Sequence, residues 1–303
     1  MFRNAADFIG LVILHHLLTL VDRVYCLDNG STDGGFERIE WLGRRSGRID
    51  LVSDPAIRPK REYLTALARR AHHDGFDVIL PFDSDELWHV TRARLQEAFS
   101  QGHNVVRCQV LNFIQRRSVE TPSRFSWRHA IRRCATVDRA STRVISGEIS
   151  FMEYEFPRKV AFLGDQSAEL HKGQHGVDRA DRSETWSDAM AVFHLPMRAK
   201  TELLKRAYDY EPRRKPLRAG PDDAWQSLYW WRRAVEGHLD SEWRALSYDE
   251  RGELLVNDRR VPTFIDRRLA AHLYRAALTA RYGCAGLRML TVPEQTGPVR
   301  RDA

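Results

Sequence analysis

The pattern that most restricts the fold is a regular alternation of short apolar runs with helical segments in the first third of the chain. The apolar runs have the length and composition of buried strands and lie at residues 24–27, 49–52 and 78–82. Helical spacing of apolar side chains marks residues 8–18, 36–44 and 61–73. Strands separated by helices at this spacing predict an α/β fold with a parallel sheet and crossover helices.

Polar loops follow the first and third predicted strands. Residues 28–35 read Asp-Asn-Gly-Ser-Thr-Asp-Gly-Gly and are dense in turn-forming side chains. Asp83, Asp85 and Glu86 follow the third strand directly. Because ligands of such sheets bind in the crevice beyond the carboxyl ends of the strands, we expect both loops to face one crevice.

Three carboxylates at one strand end repel each other unless a proton or a cation lies between them. Hard oxygen ligands suit Mg²⁺ or Mn²⁺, and Mg²⁺ is usually held by one or two carboxylates together with substrate phosphates. The Asp-Ser-Asp-Glu run that starts at Asp83 therefore predicts a divalent metal site. An acidic turn exposed to solvent is the alternative.

Composition narrows the functional classes. With 43% hydrophobic and 29% charged residues, the 303-residue chain has the make-up of an ordinary soluble protein. A net charge of +7 could indicate nucleic-acid binding, but only six of the 48 basic residues are Lys, and the Arg residues are spread along the chain. A GC-rich genome gives the same bias, so no nucleic-acid partner is predicted. Weak attraction to anionic membranes or to phosphate-bearing substrates remains.

Cysteine spacing and hydropathy bear on the compartment. The four cysteines form no C-x-x-C pair, which predicts neither a zinc site nor a disulfide framework and fits a reducing cytoplasm. The apolar run at residues 8–21 is too short to span a bilayer, and Asp7 occupies a position where a signal peptide has positive charge. We expect a cytoplasmic protein, with weak association at the inner face of the membrane as an option.

Four motifs in order carry a resemblance to a known family: Arg3-Asn4, the paired His15-His16, the loop from Asp28, and the acidic run from Asp83. Together they resemble the nucleotide-sugar-binding half of family 2-type glycosyltransferases of the GT-A fold. The similar bacterial branch reads R-N-E-A-D, D-N-G-S-T-D-G and D-x-D-E. The resemblance covers about the first 90 residues well and residues 159–206 thinly. It implies a GT-A-like, mainly parallel sheet flanked by helices.

Two positions depart from the family pattern. The family carries a first strand before the Arg-Asn pair, and here only Met1 and Phe2 precede it. Ala5 stands where the family commonly has Glu. These departures leave open whether the start is truncated relative to the functional protein and whether the pocket for the base is complete.

The resemblance implies a metal-dependent transferase that moves a sugar from a nucleotide-diphosphate donor, most often a UDP-sugar, to a cell-surface glycan, polysaccharide or lipid-linked acceptor. The transfer would invert the anomeric centre. Asp28 would bind the nucleobase, and Asp83 and Asp85 would meet the ribose and the metal-bridged diphosphate. Arg61 would contact phosphate, or is simply an exposed Arg at a helix start. The implied donor-binding residues are Arg3, Asn4, Asp28, Asn29, Arg61 and Asp83.

A third metal ligand is expected at the end of the strand at residues 189–194, which Pro196 closes. In related GT-A enzymes a distal His completes the metal site, so His194 would join Asp83 and Asp85. A nitrogen beside carboxylate oxygens suits Mn²⁺ more than Mg²⁺. A strand-end hydrogen bond is the alternative role of His194, and the pair His171 and His175 is the alternative metal position, although Gly173 between them favours a loop.

An inverting transfer needs a general base within hydrogen-bond reach of the acceptor hydroxyl. Asp165 and Glu169 are the nearest candidates in sequence, and no spacing distinguishes them from Asp178 or Asp181.

Three units are predicted: a catalytic domain at residues 1–210, a helical C-terminal extension at 211–290 and a disordered tail at 291–303. Within the first unit, residues 1–90 would bind the nucleotide and residues 91–210 the acceptor. The tryptophans of the extension could stack on sugar rings or lipid headgroups, although aromatic residues at helical spacing more often form core. They are Trp225, Trp230, Trp231 and Trp243.

Two other functions remain open on the sequence. A protein of the same fold that binds nucleotide sugars or carbohydrates without turnover would fit the two departures from the family pattern. A nucleotidyltransferase uses the same carboxylate, metal and phosphate chemistry, but it usually shows a phosphate loop rich in Gly and Lys or Arg. Gly30, Gly34 and Gly35 lack a nearby Lys.

Overall fold

The computed structural model describes residues 1–56, 59–123, 126–208 and 225–282. The predicted tail at residues 291–303 and the predicted domain boundary at residue 210 lie outside these ranges. The helices are α1 (Ile9–Thr19), α2 (Gly35–Ser46), α3 (Lys60–His73), α4 (Arg92–Ser100), α5 (Ser141–Ile145), α6 (Lys200–Tyr208), α7 (Trp225–Val235), α8 (Leu239–Leu246) and α9 (Arg268–Tyr282).

The longer strands lie mainly in the first two thirds of the chain. They are β1 (Val24–Asp28), β2 (Ile49–Ser53), β3 (Val78–Ile79), β4 (Glu86–His89), β5 (Val105–Asn112), β8 (Lys159–Leu163), β11 (Glu184–His194), β13 (Glu253–Val256) and β14 (Arg259–Pro262). Two-residue strands complete the set: β6 (Gln115–Arg116), β7 (Arg132–Arg133), β9 (Glu169–Leu170), β10 (Val177–Asp178), β12 (Ser247–Tyr248) and β15 (Phe264–Ile265).

The prediction of an α/β fold with a sheet flanked by helices is confirmed, but the sheet is mixed instead of mainly parallel. Its five strands run in the order β3-β8-β5-β11-β4, and among them only β5 and β11 pair in parallel. The connection from β3 to β4 is too short for a crossover, which needs a dozen or more residues. β4 therefore joins the opposite side of the sheet in the antiparallel sense.

The first two predicted strands pair as expected. β1 and β2 are parallel, with Val24 opposite Ile49. The third predicted strand is shorter than expected, because β3 stops before Pro81, which has no N–H for a ladder. β3 pairs with β8 and is not part of the β1–β2 ladder.

Phe2 lies against the other side of β1. Its N–H donates to the Leu27 carbonyl at 2.9 Å, and its carbonyl accepts the Asn29 N–H at 2.9 Å. This single parallel bridge adds one residue to the β1–β2 sheet, on the side of β1 that faces away from β2. The Phe2 ring is buried with Ile9 and Val24 in one apolar cluster.

The last helix covers the first one. α1 is apolar on nearly every side, which a helix buried on two faces requires. Leu269 and Leu273 of α9 pack with Phe8 and Val12, so α1 lies between α9 and the sheet. The C-terminal part thus shares the core of the α/β region.

The C-terminal part is mainly helical, as predicted, but a β-hairpin of β13 and β14 interrupts it. Trp230 and Trp243 are buried among Phe151, Met152 and Leu203. These two tryptophans are core residues. In the part of the chain that the structure describes, no helix is both long and apolar enough to cross a membrane.

Candidate functional site

Charged side chains converge at the carboxyl ends of β3, β5 and β11. We call this end of the sheet, which is not an outer strand, the carboxyl edge. His194 closes β11 and lies opposite Asn112 of β5 and Glu86 of β4 in the ladder. β8 runs antiparallel to both β3 and β5, so its first residue, Lys159, lies at this edge too. Asp83 and Asp85 occupy the turn between β3 and β4.

The loop after β1 is held closed by its own polar groups. Asp28 is only 2% exposed, and its carboxylate accepts the N–H groups of Gly30 and Ser31. Asn4, at a positive φ of 49°, donates its N–H to Ser31 Oγ and accepts the Thr32 N–H at its side-chain oxygen. Asp28 and Asn4 therefore determine the shape of this loop.

This loop contacts the segment that precedes α3, and the first residue of α3 contacts the acidic turn. Asn29 Nδ2 donates to the carbonyls of Asp54 and Ala56, in the connection from β2 to α3. That connection leads to Lys60, the first residue of α3, whose ammonium group pairs with Asp83. The Nε atom of Arg3 is buried and has no hydrogen-bond partner among the described residues.

Two lysines balance the charge of Asp83. Lys60 contacts Oδ1, and Lys159 Nζ lies 3.3 Å from Oδ2. Burial raises the pKa of Asp83, but Lys159 and Lys60 outweigh it and hold the pKa well below its usual range. Asp83 is therefore an ionised carboxylate whose cations are side chains of the protein.

Lys159 is a buried ammonium group with three partners. Besides Asp83 it donates to Glu86 Oε1 at 2.8 Å and to Gln174 Oε1 at 2.9 Å. Burial lowers its pKa, but Asp83 and Glu86 outweigh burial and raise it. Burial raises the pKa of Glu86 to about 7, with Lys159 opposing the rise and Asp83 adding to it. Much of the repulsion that suggested a metal is thus relieved by Lys159.

Asp85 faces a different pair of groups. Arg206 Nη2 of α6 donates to Asp85 Oδ2 at 2.7 Å, and His194 Nε2 lies 4.0 Å from the same oxygen. Burial raises the pKa of Asp85, but Arg206 and then His194 outweigh it, so the pKa is lowered. Asp85 is ionised and has an imidazole beside it.

The neighbours of His194 determine which of its nitrogens is protonated. Asn112 donates its amide N–H groups to the carbonyls of Met152 and Tyr154, so its side-chain oxygen faces His194 Nδ1 at 2.8 Å. Nδ1 must then donate, which leaves the lone pair on Nε2, facing Asp85. Burial lowers the pKa of His194 to about 4, so the ring is neutral at pH 7. A neutral imidazole oriented in this way is suited to bind a metal.

Asp85 and His194 fit one half of a divalent metal site. One ion bound at about 2.1 Å by both atoms requires them to lie within about 4.2 Å of each other. The observed 4.0 Å is near the upper end of that span. Among the described residues, no group of three or more His, Cys, Asp or Glu side chains is arranged to hold a metal. The structure thus pairs Asp85 with His194 and leaves Asp83 with its two lysines.

The two predicted general bases lie away from this edge. Asp165 follows the far end of β8, where the Gly164 N–H donates to the Asp77 carbonyl just before β3. At about 3.3 Å per residue, the extended chain from Lys159 to Asp165 spans about 20 Å. Glu169 pairs with Arg69, which lies about 14 Å along α3 from Lys60. The structure does not bring either carboxylate together with Asp85.

Two of three other candidates have partners of their own, and the third is exposed. His171 Nε2 lies 2.8 Å from Asp178 Oδ1, whereas His175 Nδ1 lies 3.3 Å from the Arg158 carbonyl. Arg61 is exposed, and its neighbour Lys60 is the residue that reaches the acidic turn. The alternative description of Arg61, an exposed residue at a helix start, matches its position.

Sequence reasoning missed the cations of the site and the partner of His194. These residues are Lys60, Lys159, Arg206 and Asn112. One signal was available: only six of the 48 basic residues are Lys, and one of the six begins the apolar run Lys159–Leu163, which forms β8. A lone charge at the start of a buried strand calls for a buried partner.

A second group of titratable side chains lies at the other end of β4. His15 Nε2 donates to the Trp88 carbonyl at 3.0 Å, and the Trp88 N–H donates to His16 Nε2 at 3.3 Å. β4 is an edge strand, so this histidine pair of α1 satisfies the backbone groups that a further strand would take. Nearby, His89 Nδ1 and His272 Nε2 share a hydrogen bond of 2.9 Å. We call His15, His16, His89 and His272 the histidine cluster.

Comparison with known proteins adds little to this description. No protein-family model matches the chain, and no curated protein matches it. Among solved structures, the chain is similar to residues 1–349 of TarS from S. aureus, with 12% identity, 81% of each chain covered and a TM-score of 0.35. A likeness of this size does not establish a common fold or function. The functional conclusion therefore depends on the site itself.

Proposed function

We propose that this protein is a glycosyltransferase of the GT-A type that moves a sugar from a nucleotide-diphosphate donor to a glycan or polysaccharide acceptor. The observation that carries the proposal is the pairing of Asp85 Oδ2 with the unprotonated Nε2 of His194, 4.0 Å apart, at the carboxyl edge of an α/β sheet. Crevices at this edge are where such folds bind nucleotides. The order of the Asn4, Asp28 and Asp83 motifs supports a nucleotide sugar, with UDP as the first choice of nucleotide.

Different residues of the site would bind the metal ion, the ribose and the base of the donor. Asp85 and His194 would hold Mn²⁺ or Mg²⁺ together with the phosphates of the donor, and such an ion stabilises the negative charge that develops on a diphosphate leaving group. The nitrogen ligand favours Mn²⁺. Asp83, whose charge Lys60 and Lys159 already balance, would accept hydrogen bonds from the ribose hydroxyls. The loop held by Asp28 and Asn4 would contact the base.

The acceptor side is proposed only as a class. A hydroxyl of a cell-surface glycan or a lipid-linked saccharide would attack the donor, with inversion. No general base is assigned, because Asp165 and Glu169 lie far from Asp85 along β8 and α3.

The absence of both predicted bases from this edge favours a second candidate function. The protein would then bind a nucleotide sugar without transferring it. The two functions make the same prediction for donor binding and differ in turnover. Slow hydrolysis of a UDP-sugar in the presence of Mn²⁺, measured by release of UDP, separates them.

The test of the site is a thermal-unfolding panel with UDP, GDP, CDP and ADP, each with and without Mn²⁺. A ligand at 100 times its dissociation constant stabilises the folded state by about 2.7 kcal/mol, which shifts the melting temperature measurably. We expect a shift for UDP with Mn²⁺ and a much smaller one without the metal. Asp85→Asn should remove the Mn²⁺-dependent part of the shift.

A matched control is Asp22→Asn. Asp22 pairs with Arg92 just before β1, at the opposite end of that strand from Asp28, so its loss should leave the shift unchanged. If no nucleotide diphosphate stabilises the wild-type protein with Mn²⁺, the proposed function is wrong.

A further inference from the structure

We infer that Arg206 exchanges partners during donor binding: it holds Asp85 in the free protein and moves to the donor's diphosphate when a metal ion takes Asp85. This inference rests on the proposed function and names a residue that the family motifs do not include.

The first observation is competition for one atom. Arg206 Nη2 donates to Asp85 Oδ2 at 2.7 Å, and this is the oxygen that faces His194 Nε2. If this oxygen ligates a metal ion together with His194, the guanidinium group of Arg206 has to leave it, because the two cations would occupy the same position. Arg206 therefore occupies the position from which Asp85 would bind an ion.

The second observation is that α6 does not depend on Arg206 for its position. Arg198, just before the helix, makes two hydrogen bonds to Asp7, at 2.6 and 3.1 Å, and a third to Glu202 at 3.0 Å. Arg198 and Glu202 are both buried, so this network fixes the start of α6 against the N-terminal segment. Arg206 lies one turn beyond Glu202, on the same face of the helix.

The third observation is a contrast in exposure. The side chain of Arg206 is 33% exposed, whereas that of Arg198 is 4% exposed. Arg206 thus has solvent beside it and can change rotamer while the helix stays in place. A guanidinium group released next to a bound diphosphate would find two phosphates that it can bind through paired N–H donors.

The exchange predicts opposite effects of one substitution on two ligands. Arg206→Gln frees Asp85 from its competitor, so the affinity of the nucleotide-free protein for Mn²⁺ should rise by about tenfold, since a charge-assisted hydrogen bond no longer has to be broken. The same variant loses the diphosphate contact, so its affinity for UDP at saturating Mn²⁺ should fall by about tenfold. Electron paramagnetic resonance of free Mn²⁺ measures the first affinity, and calorimetry with UDP measures the second.

Arg206→Lys and Lys205→Gln serve as the companion variants. Arg206→Lys keeps the charge, so its Mn²⁺ affinity should stay near that of the wild type, while its UDP affinity should lie between the wild type and Arg206→Gln. Lys205 pairs with Glu202 and should leave both affinities unchanged on substitution. Urea unfolding of each variant establishes that it is folded.

The outcomes separate the two proposals. If the wild type binds no nucleotide diphosphate of the panel in the presence of Mn²⁺, the proposed function fails and this inference fails with it; if it binds another one instead of UDP, that nucleotide replaces UDP in the calorimetry. If the wild type binds both ligands but Arg206→Gln weakens Mn²⁺ binding or leaves it unchanged, the exchange is refuted and the proposed function stands. A rise in Mn²⁺ affinity without a loss of UDP affinity refutes the move of Arg206 to the diphosphate.

Discussion

The two ends of β4 hold ionisable groups by opposite means. At the Glu86 end, the carboxyl groups of Glu86, Asp83 and Asp85 lie against the cations Lys159, Lys60 and Arg206. At the His89 end, the histidine cluster is kept neutral, because burial lowers the pKa of His15 to about 3 and that of His16 to about 4. The first end is a network of charges whose partners could be exchanged for a metal and a diphosphate. At the second end, His15 and His16 hydrogen-bond to backbone groups of the edge strand β4, and no ligand is expected to replace these partners.

Glu86 and the histidine cluster respond to acid with opposite sign, whereas His194, at the Glu86 end, has a lowered pKa like the cluster. The pKa of Glu86 is raised to about 7 from its ordinary 4.5, so the folded state binds a proton more readily than the unfolded state, and protonation stabilises it as the pH falls from 7 to 4.5. The histidines have lowered pKa values, so their contribution is present above pH 6.5 and is lost as the pH falls toward 4. Several histidines oppose one Glu, so the net effect of mild acid is destabilising.

The largest expected effect is that of Lys159→Met. This substitution leaves the buried Glu86 without its cation and Asp83 with Lys60 alone, and breaking a buried ion pair on one side destabilises a protein by about 3–5 kcal/mol. Urea unfolding at pH 7 measures the loss. Lys205→Met, at a side chain that is 56% exposed, should change the free energy of unfolding by less than about 1 kcal/mol.

A double variant sharpens this prediction. Glu86→Gln removes the buried carboxylate that Lys159→Met leaves without a cation, so Lys159→Met should be less destabilising in that background. If Lys159→Met is equally harmful with and without Glu86→Gln, the loss does not come from the pair of Lys159 with Glu86, and the contrast between the two ends of β4 is weakened.

Mild acid should have the next largest effect, through the histidine cluster. A histidine with an unfolded pKa of about 6.5 and a folded pKa of about 4 loses about 2 kcal/mol of stabilisation between pH 7 and pH 5. Urea unfolding at the two pH values should show a loss of at least this size for the wild type, because several histidines contribute. His16→Asn should reduce the difference between the two pH values by about 2 kcal/mol.

The control for the pH prediction is His73→Asn. The His73 side chain is 82% exposed, so its replacement should leave the pH dependence as in the wild type. A wild-type protein as stable at pH 5 as at pH 7 would show that the histidine cluster is not held neutral.

The sequence predicts the elements that form this site, but it does not predict the direction of β8. Helical and strand periodicities give the elements of the first 82 residues within a few positions, and the turn after β3 is correctly expected to carry Asp83 and Asp85. The direction of β8 depends on distant pairing with β3 and β5, which no local pattern encodes. A parallel β8 would place its carboxyl end, and Asp165, at the site; the antiparallel β8 places Lys159 there instead.

The paired His15-His16 motif shows the same limit. Helical spacing correctly places both residues on α1, but only the position of β4 shows that both rings hydrogen-bond to the backbone of Trp88. Both rings have this role because β4 is an edge strand, and the sequence does not show that β4 is one.

The smallest expected effect tests how each end of β4 orients its imidazoles. In the histidine cluster the partners of His15 and His16 are the backbone carbonyls of Trp88 and Val12, which no side-chain substitution removes. His194 depends on the side chain of Asn112. Asn112→Ala should therefore lower the affinity for Mn²⁺ by about tenfold, since a partner that orients a metal-binding His is worth at least that much.

Two companion variants determine what a loss of Mn²⁺ affinity in Asn112→Ala means. Asn112→Asp keeps an acceptor for His194 Nδ1–H and should retain Mn²⁺ binding, because a carboxylate orients the ring as an amide oxygen does, although the variant loses the two hydrogen bonds to the carbonyls of Met152 and Tyr154 and should be less stable. Gln109→Ala alters the same strand away from the ring and should have no effect on the metal. Equal Mn²⁺ affinities in Asn112→Ala and the wild type would mean that His194 is oriented by packing against Phe156 and not by its hydrogen bond, in which case His194, like His15 and His16, is fixed without a side-chain partner.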